Sequence, residues 1–464
     1  MTKPLALRQT PGRLLLAVLG LAVVAIYATW AVQVLNTRIW HQIEVTGYPF
    51  AISDLFPRWL GAKALLAGQD PYSASFAAEL HRQYYGRPMS PEEEMALFRN
   101  ICEFFYPPYV VLPLLPLLWL PFEAARWIGT VAMAAAVMSS VWAWLGLIGV
   151  RSRLGRATAA LAALLFYPSL DLILLQQLTG LVLVYLVGAY VLLARRRYVL
   201  AGVLLALALI KPQGAAIPVA AMLFWALWRR DRWPLLGAFG ATVAAQLALA
   251  EYLLPGWIPE FAAATARYQR FNTISLWLPG QIFGSVVVGA MLIAGPLAVL
   301  VALLWWRHRL DDAALPILVR VMALTFAASV VLMPDISFYN KTFLLPTILC
   351  AAVGSRSENL AQRLTRRLAL LSLALPIPLF AIAAMLFWRW VPLGTADVRS
   401  LTGPLTDNVQ AFILVLPLFV LPSAIAQSLS LPATKQRLPA ASSLQAWLPV
   451  SAPLLRTAPA NSRR

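Results

Sequence analysis

The sequence is short of charge. Of its 464 residues only 12% are Asp, Glu, Lys or Arg, against roughly 25% in a typical soluble domain. Acidic residues are the scarcer sign, 19 against 37 Lys plus Arg. Three histidines, His41, His81 and His308, are too scattered for a metal set or a catalytic triad. Two cysteines, Cys102 and Cys350, cannot build a disulfide framework and read as small buried hydrophobes. There is no Walker loop, no HExxH, no GxSxG and no CxxC pair. These absences argue against soluble enzymes of the familiar classes and against nucleic-acid modules. What is present is apolar: 61% hydrophobic residues, 17 Trp, 20 Phe and 34 Pro, with a mean hydropathy of +0.73. That composition belongs to an integral membrane protein. The net charge of +18 would suggest nucleic acid in a soluble chain. Here it reads as Lys and Arg retained between spans on the cytoplasmic side.

A span needs about 20 apolar residues. The first such run, 13–35, follows Lys3, Arg8 and Arg13 and is longer than a signal-peptide core. It is expected to be a retained anchor with the N-terminus inside. Residues 36–106 are polar, with more acids than bases, and suit the outer face. Residues 106–121 are apolar but carry five prolines, which makes a regular spanning helix costly. Treating them as a re-entrant or interfacial segment keeps RSRLGR (151–156), the arginines 195–197 and RRDR (229–232) inside. Spans are then expected at 122–149, 157–175, 178–194, 198–210, 213–228, 235–254, 283–304, 313–333, 342–355, 368–388 and 409–428. Lys211 falls at the outer apex of a hairpin broken by Lys211–Pro212. The expected fold is an all-α polytopic membrane protein with about 12 transmembrane helices. Its single transmembrane domain covers 1–428 and includes a long first outer loop, 36–121, with interfacial helices. The Ser/Pro/Ala-rich tail, 429–464, is expected to be cytoplasmic and disordered.

Polar residues gather on the outer side of this scheme. Asp54 opens the stretch 55–67, where Leu55, Trp59, Ala62, Leu65 and Leu66 share one face. Such a helix is expected to lie along the membrane surface. Asp54 is then either its N-cap or the acid of a site. An ammonium at membrane depth costs roughly 2.5–3.5 kcal/mol on insertion scales. Lys211 must therefore either snorkel to water or serve a cavity. Arg267, Arg270 and Lys341 also fall outside, against the charge rule, and together could hold an anionic phosphate. Gln176, Gln177, Asn272, Ser275, Asp335, Tyr339 and Asn340 share that side. Tyr106–Pro107–Pro108 fixes the re-entrant turn.

Two stretches in order make the chain similar to a known family. The first is an Asp after the opening span, then ALLAGQDPY (Ala64–Tyr72) and FFYPPYVVLPLLPL (Phe104–Leu117). The second is AGVLLALALIKPQGAAIP (Ala201–Pro218) followed by WRRDRW. Over about residues 45–350 the chain resembles the integral-membrane glycosyltransferases of family 87, which belong to the GT-C class. These include polyprenyl-phosphate-mannose-dependent mannosyltransferases. The resemblance implies a GT-C fold, a catalytic Asp at Asp54 and a functional Lys before Pro at Lys211. Members often show Gly-Gln-x-Asn after the third span, where this chain has Gln176-Gln177-Leu178-Thr179. Many carry a His in a late outer loop, where this chain has Phe338-Tyr339-Asn340-Lys341.

The implied reaction is an inverting transfer of mannose or another hexose or pentose. The donor is a polyprenyl-phosphate sugar, and the acceptor a glycolipid or polysaccharide at the outer face of the inner (plasma) membrane. Both termini are expected to be cytoplasmic. Asp54 would be the general base. Lys211, Arg267, Arg270 and Lys341 would bind the donor phosphate. Gln177, Tyr106, Asn272, Ser275, Tyr339 and Asn340 would contact substrate. No cofactor is implied; a divalent metal has no evident ligand cluster and is not expected to be required. A lipid-linked-sugar flippase or secondary transporter is the main alternative, because the 198–228 hairpin is a broken element. An O-antigen-type polymerase or ligase is another. The one-sided polar residues and the early position of the long loop favour the transferase.

Overall fold

The computed structural model describes residues 53–98, 102–271, 315–332 and 337–353, with the single positions 18, 22 and 367. The spans expected at 283–304, 368–388 and 409–428, nearly all of 13–35, and the tail 429–464 lie outside the described residues. Among the described residues all regular structure is helical. The elements fall in three groups along the chain.

The first group lies in the stretch expected to be the first outer loop, with α1 (Leu55–Leu66), α2 (Ala74–Tyr85) and α3 (Pro91–Phe98). Ser73 caps α2 by accepting the Phe76 N–H at 3.2 Å, and Gly86 ends it in the left-handed region at φ 74°. The sequence pattern suggested that α1 is amphipathic, with one apolar face. Instead Leu55, Phe56, Arg58, Trp59, Ala62 and Leu65 are all buried, on more than one face. The reason is packing on two sides: Phe56 meets the Phe122 ring edge-on at 4.7 Å, and Gly61 faces Phe104. A Cβ on Gly61 would lie 2.2 Å from the Phe104 ring, so only glycine lets that ring seat against α1.

The second group is the proline-rich stretch. A 3-10 turn (Pro108–Val110) runs into α4 (Val111–Leu118). At about 1.5 Å per residue these elements are too short to cross a hydrocarbon core of about 30 Å. They are anchored at both ends. The Trp59 indole N–H donates to Leu117 O at 3.1 Å, and the Tyr109 hydroxyl donates to Leu209 O at 3.2 Å.

The third group is the helical bundle: α5 (Phe122–Leu147), α6 (Arg153–Leu164), α7 (Tyr167–Leu174), α8 (Thr179–Ala194), α9 (Tyr198–Leu207), α10 (Pro212–Leu227), α11 (Trp233–Leu253), α12 (Trp257–Phe271), α13 (Leu315–Leu332) and α14 (Leu345–Ala352). Among the described residues Phe122–Leu147 and Arg230–Leu253 are each long and apolar enough to cross a membrane. One straight span was expected over 157–175, but α6 and α7 meet at a bend of 66°. Pro168 explains the break. It cannot donate back to α6, and its ring would clash with the carbonyl four residues earlier, so it starts a new helix. The Lys211–Pro212 break falls where the sequence suggested it: α9 ends in a 3-10 turn (Ala208–Ile210), and Pro212 opens α10. Helices α9 and α11 pack closely at Gly202, where a Cβ would lie 2.3 Å from Leu235 O. Small residues allow such approach between membrane helices. The bundle centre is aromatic, with Trp144 edge-on to Tyr190 at 5.5 Å and donating to Pro346 O at 2.9 Å.

Candidate active site

The site is built around the turn between α7 and α8. Gln176 takes φ 49° there, a left-handed conformation that costs a non-glycine residue roughly 1–2 kcal/mol. Its side chain offsets the strain. It accepts from Ser53 Oγ at 2.5 Å and donates to Thr130 Oγ1 at 3.1 Å. The turn therefore joins the start of α1 to the middle of α5. The Asp54 N–H donates to Leu175 O at 3.1 Å, which fixes the Asp54 backbone against the same turn.

Asp54 stands at the N-cap position of α1 but makes no side-chain capping bond. Its Oδ2 accepts instead from the Gln177 side-chain amide. The other end of that amide, Gln177 Oε1, accepts from Arg58 Nη2 at 3.2 Å. Arg58 Nη1 donates to the Asp54 carbonyl, and the guanidinium lies 4.6 Å from the centre of the Tyr106 ring. Burial works against the charge on Arg58. The fields of the Tyr106 oxygen, Asp54 and Tyr339 outweigh it and hold the guanidinium above its usual pKa. Tyr106 is fixed from behind, its carbonyl accepting from the Tyr72 hydroxyl at 2.5 Å.

Two residues along the same turn, Thr179 organises a second charge. Lys211 Nζ donates to Thr179 Oγ1 at 2.9 Å, and Thr179 donates to Asn340 Oδ1 at 2.9 Å. The ammonium lies 4.5 Å from the centre of the Tyr339 ring. Lys211 is 3% exposed, so it does not snorkel from a hairpin tip. Asp171 of α7 completes this end, accepting the Tyr339 N–H at 3.1 Å. A carboxylate and a buried ammonium are thus held by Gln177 and Thr179 at one turn. That pairing is suited to taking a proton at one end and steadying negative charge at the other.

The model of glycosyltransferase family 87 matches residues 104–334. The chain belongs to glycosyltransferase family 87. With its long apolar helices it is a membrane glycosyltransferase. No curated protein and no solved structure matches the chain. The matched range is narrower than the resemblance read from the sequence. It contains Gln177, Thr179 and Lys211 but neither Asp54 nor Tyr339–Lys341; the fold brings Asp54, Tyr339 and Asn340 to it.

Several residues singled out in the sequence do meet: Asp54, Gln177, Tyr106, Lys211, Tyr339 and Asn340. Lys341 is buried in the 3-10 stretch Phe338–Leu344 beside Asn340. Arg267 is drawn elsewhere, pairing with Glu103 at 3.4 Å on the surface. The Arg270 side chain, Asn272 and Ser275 lie outside the described residues. Sequence reasoning missed Arg58, Thr179 and Asp171. Arg58 carries a signal in retrospect, one helical turn after Asp54. Asp171 is an acid inside the apolar run 157–175, and such a residue in a membrane-spanning segment is a functional candidate. Thr179 stands at the Asn position of the family's Gly-Gln-x-Asn pattern.

Proposed function

We propose that the chain is an inverting glycosyltransferase that uses a polyprenyl-phosphate sugar. It transfers mannose or another hexose or pentose to a glycolipid or polysaccharide at the outer face of the plasma membrane, with both termini in the cytoplasm. The observation that carries this reading is the pairing of Asp54 and Lys211 across the 176–179 turn. Asp54 accepts the proton of the acceptor hydroxyl as its oxygen bonds to C1 of the sugar. The bond from C1 to the phosphate oxygen breaks, and its electron pair leaves with the lipid phosphate. Lys211 steadies that developing charge, with Lys341 nearby in sequence to the Tyr339–Asn340 wall. One displacement inverts the anomeric centre. A positioned base contributes about 10²–10⁴-fold. The charges are supplied by side chains, so no metal is assigned, and turnover is expected to survive a divalent-metal chelator.

The test is sugar transfer in proteoliposomes with a panel of polyprenyl-phosphate sugars, comparing wild type and Asp54→Asn. Release of polyprenyl phosphate should fall by at least 10²-fold in the variant. Full turnover by a folded Asp54→Asn protein would sink the base assignment. The 66° bend between α6 and α7 and the break at Lys211 favour a transporter as the second reading, since transporters use broken helices. Lipid movement without sugar transfer would decide for it.

A further inference from the structure

Arg58 and Gln177 stand in series behind Asp54. A guanidinium can only donate, and an ionised carboxylate can only accept. Gln177 lies between them and has one end of each kind. Arg58 Nη2 holds Gln177 Oε1 at 3.2 Å, which leaves the amide nitrogen to face Asp54 Oδ2. Both residues are buried, and Gln177 is 0% exposed. The guanidinium is itself fixed by the Tyr106 ring and the Asp54 carbonyl. Arg58 donates to the carbonyl of Asp54, not to its carboxylate. A direct ion pair would make the carboxylate a weaker base. Inserting a neutral amide orients the group while keeping the cation one residue back.

We propose that Arg58 is a positioning residue that acts through Gln177: it sets the direction of the Gln177 amide, which sets the rotation of the Asp54 carboxylate. The inference rests on Asp54 being the base. Without Arg58 the amide can turn and present its oxygen to the carboxylate. The carboxylate then loses its fixed rotation, and misplacement of this kind costs about 10²-fold in rate.

The experiment uses the full chain in proteoliposomes with Arg58→Met, Gln177→Leu, the double variant and Asp54→Asn. Each single variant should lower kcat by about 10²-fold with KM within about twofold, as expected for lost orientation. The double variant should lose no more than either single one, because links in series fail together. Losses that multiply in the double variant would overturn the relay. A second readout is independent of turnover: an infrared titration of the carboxyl band that disappears in Asp54→Asn. Besides Arg58, the groups whose fields reach Asp54 include Tyr84, Cys102 and Asp171 among the described residues. None of these is altered by Gln177→Leu. The midpoint should rise in Gln177→Leu, which keeps every charge, as well as in Arg58→Met. An unchanged midpoint in Gln177→Leu would also overturn the inference. If Arg58→Met fails to fold, Arg58→Lys keeps the charge without the fork and should show part of the loss. Full turnover by Asp54→Asn would instead break the underlying assignment of the base.

Discussion

At the scale of single residues, the site depends on groups placed where they are costly to keep. Gln176 holds a left-handed backbone and is stabilised by Ser53 and Thr130. Gln176→Ala keeps the strain and loses both bonds. It should destabilise the protein by about 1–3 kcal/mol, read as a lower thermal midpoint in detergent. Lys211→Met keeps the length of the side chain and removes the ammonium. On the phosphate role proposed for Lys211, it should lower kcat by about 10²–10³-fold while leaving the folded yield intact. A wild-type rate in this variant would remove Lys211 from the phosphate end.

At the scale of elements, close approach and burial decide which changes are tolerated. Gly202→Leu puts a side chain where the Leu235 carbonyl already sits. Helices α9 and α11 must separate, and the variant should be lost from the folded fraction on size exclusion. The segment of α1 to α3 offers a test by pH. Glu94 of α3 is buried, accepts the Cys102 N–H at 3.0 Å and lies 3.4 Å from His81 of α2. Burial pushes its carboxyl up to about 7 from 4.5. The folded loop therefore holds a proton that the unfolded chain releases. Its contribution is fully present below pH 4.5 and is lost as pH rises through about 7, on the order of 3 kcal/mol in all. Burial pulls His81 the other way, below 6.5, so its contribution is present above pH 6.5 and is lost on acidification. Glu94→Gln removes only the first slope. Its thermal midpoint should exceed that of wild type above pH 7, and the gap should close on acidification towards pH 4.5.

At the scale of the whole molecule, the legible part of the sequence was whatever stood out against an apolar background. Lys211 and the 106–121 prolines did so, because a charge or a missing amide in a hydrophobic run is expensive. Asp54 stood out by position, and the pairing of Lys211 with Pro212 located the α9–α10 break. Arg58 and Thr179 were hidden because their importance lies in contacts across the chain, to Gln177 and to Lys211 and Asn340. Local pattern cannot register such partners. The burial of α1 on more than one face was hidden for the same reason: Phe56 and Gly61 look ordinary until Phe122 and Phe104 arrive. A chain divided after Gly256, in the turn before α12, tests the same dependence. Neither half alone should transfer sugar, and co-expression should restore measurable turnover. The contacts that build the site span 123 residues from Asp54 to Gln177 and 161 from Thr179 to Asn340. A ribosome delivering this chain therefore threads the first helices into the bilayer long before the last wall of the pocket has been translated. Copies cut short before Asn340 occupy the membrane without the Thr179–Asn340 contact, and the site closes only after about three-quarters of the 464 residues have been made.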